Sequence, residues 1–423
     1  MSPDDHIVHG ALACGKHPKC TEQRVGHYLT GLHIAGDDRG GRDTLIATGA
    51  NDGSVRLARL RYDDASDGLA FFHAPPLESP FRVPLEGRGG HDGAVRAAAF
   101  ASRRRLVTGG AGFIGSTLAA RLLQLGYAVR VLDNLSTGAR AFVPSEAEFV
   151  RGDVREYSAV EAAMRGGVTV VFHLAAMSKV EPSLTDPAMV RFCLENNVLG
   201  TDNVLRAALE AKTVRKVVYA ASSTYYGDAP TPHSESATPH RVTSPYASSK
   251  AEGERLCLLY DRLHGLPTVS LRLFMVYGDR QPSEGAYKIV TGAFLANLER
   301  GEALSVEGDG SHFRDFVHVA DAADAFALAA QNPSARGVAM NVGSGSAWTI
   351  EDVAEMIGGA DPGHVHVAER RHDLVGTLAD TCLAKRLIGF SATRSFEEET
   401  RREAARVRGR RGEGSGGGEG SVG

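Results

Sequence analysis

The sequence predicts an α/β fold with a doubly wound parallel sheet, a smaller C-terminal lobe and a β-rich N-terminal segment. The main observation is that short apolar runs alternate with amphipathic helical stretches from Arg104 onwards, which is typical of β-α-β units. The length of 423 residues allows two or three domains at about 150 residues each. The composition, 43% hydrophobic and 23% charged, is ordinary for globular proteins and argues against wholesale disorder and a membrane bundle.

Charge and cysteine content narrow the class of protein further. The formal net charge of -4 gives no global positive field, so no nucleic-acid partner is expected. The five cysteines are scattered and odd in number, which favours a reducing compartment over a disulfide framework. No stretch of 18 apolar residues occurs, and the first residues lack a basic patch followed by an apolar run. We therefore expect a cytoplasmic protein without a membrane partner.

Residues 1–103 differ in pattern from the rest of the chain. The stretch Thr44 to Leu60 reads as two strands around an Asn-Asp-Gly turn, which predicts a hairpin. A Gly-His pair lies on either side, at Gly26-His27 and Gly90-His91, and this order resembles a WD40 propeller repeat. The pairs lie 64 residues apart, longer than the usual period of about 40 to 45. A WD40-like fragment is the interpretation, although one blade cannot close a ring.

The elements after Arg104 follow in a regular order. The predicted strands are RLVTGG, YAVRVLD, EFVRGD, VTVVFHLAA, KVVYAASS and TVSLRLFMV, and the predicted helices are GFIGSTLAARLLQLG, ENNVLGTDNVLRAALEA and SPYASSKAEGERLCLLYDRLHG. This places the parallel-sheet domain at 104–277. The looser pattern of 278–406 predicts mainly a lobe that closes over a ligand. The low-complexity end, 407–423, is expected to be disordered.

A glycine-rich turn joins the first strand to the first helix. Gly109, Gly112 and Gly115 are spaced so that the backbone can approach a pyrophosphate at the helix N-terminus. Asp133 closes the second strand 18 residues later, where a carboxylate would hold the ribose hydroxyls of NAD and repel the 2′-phosphate of NADP. Asp153, after the third strand, could accept from the adenine amino group. Both aspartates could instead be ordinary turn residues.

A second group of residues has the composition of a proton-transfer site. Tyr246 and Lys250 stand four residues apart on a predicted helix and therefore share a face. A tyrosine with a pKa of about 10 is a poor base at neutral pH, and a nearby ammonium stabilises its phenolate. The hydroxyls of Ser222, Ser223 and Thr224 follow a strand at its carboxyl end, where ligands of parallel sheets bind.

These motifs together resemble the extended short-chain dehydrogenase/reductase family, in its nucleotide-sugar epimerase and dehydratase branch. The resemblance covers about Arg104 to Arg406 and rests on the order of the motifs TGGAGFIG, VLDN, GDV, HLAA, NNVLGT, SSTYYG, YASSK, LRLFMVYG, RDFVHVAD, NVGSG and ERRHD. It implies a Rossmann domain with NAD as cofactor, a small C-terminal substrate-binding lobe, and a homodimer formed through a four-helix bundle that includes the Tyr-x-x-x-Lys helix.

The resemblance also implies roles for individual residues. Ser222, Tyr246 and Lys250 stand at the catalytic positions, and Thr224, Arg314 and Arg370 at positions that bind the nucleotide sugar. The cofactor-binding positions are Gly109, Gly112, Phe113, Ile114, Gly115, Asp133, Asn134, Asp153, Val154, Ala175, Asn197, Tyr246 and Lys250. His173, beside the cofactor loop, is expected to be structural.

The implied reaction is epimerisation at C4 of a UDP-glucose/UDP-galactose-type sugar through a 4-keto intermediate. Dehydratases of the branch carry an Asp-Glu pair after the triad hydroxyl and decarboxylases a Glu, where this chain has Ser223 and Thr224. A UDP-glucuronate 4-epimerase, another dehydratase or decarboxylase, and a non-catalytic NAD-binding regulator or propeller-type scaffold stay open as alternatives. Three positions depart from the family pattern: Met275 replaces an Asn, Asp279 a Pro and His372 a Gly.

No metal is expected. Cys14, His17 and Cys20 could supply three ligands, but no second pair completes a tetrahedral zinc site. None of the 16 histidines forms a spaced ligand pair on a predicted helix.

Overall fold

The computed structural model describes residues 28–32, 43–49, 55–61, 104–178, 180–237, 242–283, 288–369 and 374–415. The chain divides into two compact units, Met1–Asp92 and Gly93–Gly423. Two residues weighed above, Arg370 and His372, lie outside the described residues, as do Cys14, His17 and Cys20.

The first unit contains an antiparallel three-stranded sheet in the order β1 (Tyr28–Leu32), β2 (Asp43–Gly49) and β3 (Val55–Arg61). Strands β2 and β3 pair without a break from Asp43 opposite Arg61 to Gly49 opposite Val55. The predicted hairpin is therefore present. Both Gly-His pairs lie outside the described residues, so the WD40-like interpretation stays a prediction.

The second unit is built on a seven-stranded sheet in which every neighbouring pair is parallel. Its strands are β4 (Arg104–Thr108), β5 (Ala128–Asp133), β6 (Glu148–Arg151), β7 (Val168–His173), β8 (Lys216–Ser222), β9 (Thr268–Leu273) and β13 (Val338–Val342). In the order β13-β9-β8-β7-β4-β5-β6, the chain runs from β4 to one edge of the sheet through β5 and β6, and then to the other edge through β7, β8, β9 and β13. The switch point lies between β4 and β7. A crevice is expected at the carboxyl ends of the strands at this switch point.

Helices and helical turns connect the strands of this unit. They are α1 (Phe113–Gln124), a 3₁₀ turn (Arg140–Phe142), α2 (Tyr157–Met164), α3 (Val180–Thr185), α4 (Pro187–Cys193), a π-helical segment (Leu194–Leu199), α5 (Gly200–Glu210), a 3₁₀ turn (Ser223–Tyr226), α6 (Pro245–His264), α7 (Val290–Arg300), α8 (Val319–Gln331), α9 (Ile350–Gly358), α10 (Cys382–Ile388) and α11 (Phe396–Ser415).

The sheet is covered on both faces, which explains why its strands are apolar throughout and do not alternate. One core contains Leu118 of α1, Phe326 of α8 and Ile388 of α10, and the other contains Leu205 of α5 and Cys257 of α6. All seven residues of β8 are buried. The predicted doubly wound parallel sheet is confirmed. No helix among the described residues is long and apolar enough to span a membrane.

The smaller lobe uses two short sheets. One has the order β10 (Met275–Tyr277), β12 (Phe313–His318) and β14 (Ala347–Thr349), and the other pairs β11 (Leu304–Glu307) with β15 (His364–Val367). Helices α7, α9 and α11 contribute Phe294, Ile357 and Phe396 to its core.

The predicted boundary at 277/278 is not a clean cut between the two domains. Strand β13 pairs with β9 at the edge of the large sheet, and α8 and α10 pack on that sheet. The segment 278–406 therefore crosses between the lobes, because the sheet needs a seventh strand and helices to cover it. The periodicity after Tyr277 was too irregular to reveal this return.

The predicted start of the tail at 407 also differs from the structure. Helix α11 continues to Ser415, and Val407 is buried in the core of the small lobe. The Arg408 guanidinium donates to the carbonyls of Ile357 and Gly358 at 2.6 and 3.1 Å, at the end of α9. An arginine- and glycine-rich sequence is thus held as a helix by packing that its composition does not indicate.

Candidate active site

A cleft of about 550 Å³ runs along the carboxyl ends of the strands. It contains most of the residues that the sequence analysis assigned to binding and catalysis: Gly109, Gly112, Phe113, Ile114, Gly115, Asp133, Asn134, Val154, Ala175, Ser222, Thr224, Tyr246 and Lys250. The topological switch point therefore brings the glycine turn and the side chains of Ser222, Tyr246 and Lys250 into one cavity.

Each of the three glycines of the turn is required for a different structural reason. Gly109 has a φ of +72°, and a Cβ there would lie 2.6 Å from the backbone nitrogen of Ala175. A Cβ on Gly115 would lie 2.1 Å from the carbonyl oxygen of Gly109, so this residue allows helix α1 to pack closely. A Cβ on Gly112 would meet only that same oxygen, at 3.3 Å. Gly112 thus leaves the space that a pyrophosphate needs, and the turn fits NAD.

Helix α1 presents its N-terminus to the cleft. Its N-cap is Gly112, which provides no side-chain cap, and its first turn carries no acidic residue. Free N–H groups and the positive end of the helix dipole suit a dinucleotide pyrophosphate. Asp133 closes β5 beside this turn, where its carboxylate accepts from the N–H groups of Ala111 at 2.9 Å and Leu135 at 2.8 Å. These bonds fix the orientation of the Asp133 carboxylate within the cleft.

Asp153 and Asn197 do not line the cleft, although both were predicted at cofactor positions. The Asp153 carboxylate binds the Arg155 guanidinium at 2.8 Å and accepts from the Asn134 amide at 2.9 Å. Burial opposes ionisation of Asp153, but the bonds from Arg155 and Asn134 prevail and hold its pKa at about 2. Asp153 is therefore ionised and orients Asn134, which does line the cleft.

Asn197 is a positioning residue. Its side chain accepts from the Met177 N–H at 2.8 Å and donates to the Met177 carbonyl and the Ser249 hydroxyl, both at 2.9 Å. It lies in the π-helical segment, a geometry that is frequent at functional sites. Asn197 thereby ties the loop after β7 to α6, next to Lys250.

Helix α6 carries Tyr246 and Lys250. Ser244 caps it by accepting from the Ala247 N–H at 3.1 Å, Pro245 occupies its first position, and Gly265 ends it with a φ of +67°. These signals begin and end the helix as its sequence predicts. The i and i+4 spacing places both side chains on the cleft.

Lys250 lies in an environment that disfavours its charge. It is 3% exposed, and its ammonium nitrogen lies 4.3 Å from the centre of the Tyr219 ring. Burial lowers its pKa to about 7, against a smaller opposite influence of Glu254 and Cys257. Lys250 is therefore poised to change charge near neutral pH, so a phenolate at Tyr246 would favour its cationic form.

His173 is held as a structural residue, as expected. Its ring nitrogens hydrogen-bond with the Thr108 hydroxyl at 2.8 Å and the Thr201 hydroxyl at 3.0 Å. Complete burial, with a smaller effect from Lys250, lowers its pKa to about 3. The imidazole is thus neutral and joins β4, β7 and α5 beneath the cleft.

The hydroxyl groups at the end of β8 form a short chain. Ser222 Oγ and Thr224 Oγ1 lie 2.9 Å apart, and the Ser222 side chain also accepts from the Thr224 N–H at 3.2 Å. Ser222 thereby caps the 3₁₀ turn that follows β8. Both hydroxyls line the cleft and can pass a proton or a hydrogen bond to a bound ligand.

A buried ion pair behind these hydroxyls was missed by the sequence analysis. The Arg272 guanidinium binds the Glu254 carboxylate at 2.6 and 3.1 Å and donates to the Tyr226 hydroxyl at 2.7 Å. The Tyr225 hydroxyl also binds Glu254, and the Tyr226 hydroxyl donates to Asn341 at 2.7 Å. The pair joins β9 and α6 to the turn that follows Ser222. Its members stand on separate elements, so sequence spacing contains no signal for it.

The described residues that line the cleft include neither of the two arginines predicted to bind the substrate. Arg314 is 7% exposed on β12, donates to the Phe313 carbonyl at 2.9 Å, and is not among the residues that line the cleft. Arg370 lies outside the described residues. The cleft is also lined by Met275 and by apolar residues without a predicted role, which are Phe274, Val276, Pro282 and Ile289.

Comparisons with known proteins agree with this geometry. A model of the NAD dependent epimerase/dehydratase family matches residues 105–343. The chain is 32% identical over 310 residues to a UDP-glucose 4-epimerase of Streptomyces lividans, with 70% of this chain and 93% of that protein covered. It is 34% identical over 263 residues to a UDP-N-acetyl-alpha-D-glucosaminuronate decarboxylase of Bacillus cytotoxicus, with 60% and 79% covered.

A solved structure has the same architecture. The UDP-glucose 4-epimerase of Thermus thermophilus, in complex with NAD, superposes with a TM-score of 0.66 at 36% identity and covers 72% of this chain and 99% of that one. The prediction of NAD as cofactor is thereby confirmed. The chain belongs to the NAD dependent epimerase/dehydratase family.

Proposed function

We propose that the protein interconverts the C4 epimers of a UDP-glucose/UDP-galactose-type nucleotide sugar. The observation that carries the proposal is one shared cavity: Ser222, Thr224, Tyr246 and Lys250 line the same cleft as the glycine turn. A sugar bound there would have its C4 hydroxyl within reach of a phenol and two alcohols. This combination suits removal and return of a hydroxyl proton during carbinol oxidation.

The chemistry of the cleft follows from its own side chains. NAD, when bound, supplies a hydride acceptor and donor at C4 of the sugar. Tyr246 as phenolate takes the proton of the C4 hydroxyl, directly or through Ser222. Lys250 stabilises the phenolate, and its lowered pKa allows it to respond to the charge of its surroundings near neutral pH. The 4-keto sugar then rotates about its diphosphate linkage and presents its opposite face. Tyr246 returns the proton to the C4 oxygen.

The alternative reactions of the family need a carboxyl group beside the sugar, and the described residues that line the cleft offer none there. Elimination of water requires an acid and a base near C5 and C6, and the branch supplies them directly after the triad hydroxyl. Here Ser223 and Thr224 occupy those places. Asp133 is the only acidic residue among the described residues that line the cleft, and it lies at the glycine turn. This favours epimerisation over dehydration or decarboxylation.

The experiment is an assay of the purified protein with a panel of UDP- and GDP-sugars, with products separated by chromatography. Tyr246→Phe is expected to lower turnover by more than about 100-fold and to retain NAD. Tyr260→Phe is the matched control, because Tyr260 lies on the same helix but donates to Asp202, outside the cleft. Unchanged activity of Tyr246→Phe would reject the mechanism, and no epimer from any sugar would favour an NAD-binding regulator.

We also propose that the protein is a homodimer in which α6 lies in the interface. Large apolar side chains are exposed on neighbouring helical segments: Leu194 and Leu199 on the π-helical segment, and Leu259 and Leu263 on α6. Leu199 and Leu263 are 58% and 66% exposed. Such a patch suits association with a second copy of the chain. Sedimentation analysis of the wild type and of Leu263→Glu tests the proposal; a monomeric wild type would overturn it.

A further inference from the structure

We propose that Glu351, His364 and His366 form a binding site for zinc or a similar divalent transition metal in the small lobe. None of the three residues lines the catalytic cleft. The site is therefore independent of the proposed epimerase chemistry. The site was not predicted from the sequence, because its two histidines do not lie on a helix. His364 and His366 are two residues apart on β15, and alternate residues of a strand point to the same face.

The three side chains already converge to the dimensions of a metal site. Their ligand atoms lie within 4.8 Å of one another. His364 Nε2 is 2.8 Å from Glu351 Oε1, and His366 Nε2 is 3.6 Å from Glu351 Oε2. Two ligands of a tetrahedral zinc ion at about 2.05 Å lie about 3.4 Å apart. Side-chain shifts of about 1 Å are therefore enough to coordinate an ion.

A backbone carbonyl orients one of the histidines for coordination. His366 Nδ1 lies 2.9 Å from the Gly308 carbonyl oxygen, which can only accept a hydrogen bond. In the neutral ring this bond places the proton on Nδ1 and leaves the lone pair on Nε2, the atom that faces Glu351. Metal-binding histidines are typically oriented by such a second hydrogen bond.

The cluster also contains buried polar atoms that lack a hydrogen-bond partner within the described part of the chain. These atoms are Glu351 Oε2 and His364 Nδ1. A buried carboxylate oxygen without a partner costs about 1–3 kcal/mol or more. A metal ion would satisfy Glu351 Oε2, whereas the hydrogen bond to His364 engages only the other oxygen. This observation distinguishes the cluster from an ordinary His-Glu pair.

The surrounding backbone leaves room for the carboxylate. Gly310, in the turn between β11 and β12, has a φ of +73°, and a Cβ there would lie 2.6 Å from Glu351 Oε2. The Glu351 N–H donates to the Gly310 carbonyl at 3.1 Å, which fixes the start of α9 against the turn. The side chains of His364, Glu351 and His366 are 21%, 33% and 46% exposed, so an ion can enter from solvent.

The donor set points to the class of metal. Two imidazoles and one carboxylate suit zinc and neighbouring transition metals better than calcium or magnesium, which prefer oxygen ligands alone. Three protein ligands leave a fourth position for water. A bound ion would join β15 to the N-terminus of α9 and should stabilise the small lobe.

The test uses the full chain, freed of metal with a chelator and then dialysed against buffered zinc chloride. Bound zinc is measured by plasma mass spectrometry. We expect His366→Gln to bind one equivalent of zinc less than the wild type, because the affinity of this site for zinc falls by more than about 100-fold. The matched control is His264→Gln, at the exposed end of α6, which should bind as much as the wild type. Equal zinc content in the wild type and in His366→Gln would overturn the proposal.

Two further measurements separate this site from other causes. Zinc should raise the Tm of the wild type and of His264→Gln but not that of His366→Gln or His364→Gln, since a ligand that binds only the folded state stabilises it. An identical rise in all four would overturn the proposal. Cobalt bound at this site should show no thiolate charge-transfer absorption. If thiolate charge-transfer is the only cobalt absorption, cysteines bind the metal and the proposal is overturned.

Discussion

Replacement of Lys250 by methionine is expected to stabilise the folded protein while it removes most of the activity. Burial lowers the pKa of Lys250 from 10.5 to about 7. The unfolded chain therefore binds this proton more tightly than the folded chain. At 1.36 kcal/mol per pKa unit, the difference corresponds to a cost of about 5 kcal/mol at low pH. The lost contact with the Tyr219 ring offsets about 2 kcal/mol, which leaves a gain of about 3 kcal/mol.

The pH dependence provides the sharper test. The cost is fully present below pH 7, and it declines by about 1.4 kcal/mol per pH unit between pH 7 and pH 10.5 because the folded state has already lost the proton. The advantage of Lys250→Met should thus be greatest at pH 6, as a rise in Tm of about 6 °C at about 2 °C per kcal/mol. It should shrink by pH 9. The assay is thermal unfolding of nucleotide-free protein at several pH values.

A second buried lysine supplies the matched control. Lys216 is 5% exposed, but its ammonium donates to the carbonyls of Ala329, at 3.1 Å, and Asn332. Burial also lowers the pKa of Lys216, to about 8, so Lys216→Met relieves a smaller charge-burial cost than Lys250→Met and in addition leaves these carbonyls without a donor. The Tm of Lys216→Met at pH 6 is therefore expected to lie well below that of Lys250→Met. If Lys250→Met is less stable than the wild type by the same amount at pH 6 and pH 9, the account of Lys250 as a buried, poorly compensated charge is refuted.

Three further predictions concern the cofactor site and the N-terminal unit. Asp133→Ala should weaken the preference for NAD over NADP, measured as the ratio of their dissociation constants, and an unaltered ratio would remove Asp133 from the ribose site. Gly109→Ala should impair folding, since its Cβ would lie 2.6 Å from the Ala175 nitrogen, whereas Gly112→Ala should fold and bind NAD more weakly; calorimetry and circular dichroism distinguish the two, and equal effects would contradict their different roles. A chain that begins at Ser102 should keep full activity, and its failure to fold would show that the N-terminal unit is part of the enzyme.

Local sequence signals predicted the elements that line the cleft. The glycine turn, Asp133 and the Tyr246–Lys250 spacing each depend on a short stretch of chain, and the parallel sheet then brings them together at its switch point. Residues that act across the sheet were predicted less well. Asn197 was expected at the cofactor, but its amide is occupied by Met177 and Ser249, partners far away in the sequence.

The fold of the small lobe was the least predictable from the sequence, because it depends on packing between segments that are distant in the chain. Val407 is buried in the core of the small lobe although it lies on α11, whose sequence is rich in charged residues and contains glycine. The cluster of Glu351, His364 and His366 forms only where α9, β15 and the turn at Gly308 pack together, and no periodicity in the sequence predicts this packing. Two of its three residues, His364 and His366, stand at strand spacing, which is the one local signal that the sequence contains for it.

The buried pair of Arg272 and Glu254 shows that sequence motifs alone do not fix the placement of the residues proposed as catalytic. Glu254 lies one turn after Lys250 on α6, and the pair also holds Tyr225 and Tyr226, which follow the Ser222 turn. Removal of one partner from a buried ion pair typically costs about 3–5 kcal/mol, since the other charge stays buried. The pair thus links the strand end that carries the serine hydroxyl to the helix that carries the phenol and the ammonium. The relative placement of these groups is determined by residues that never reach the cleft.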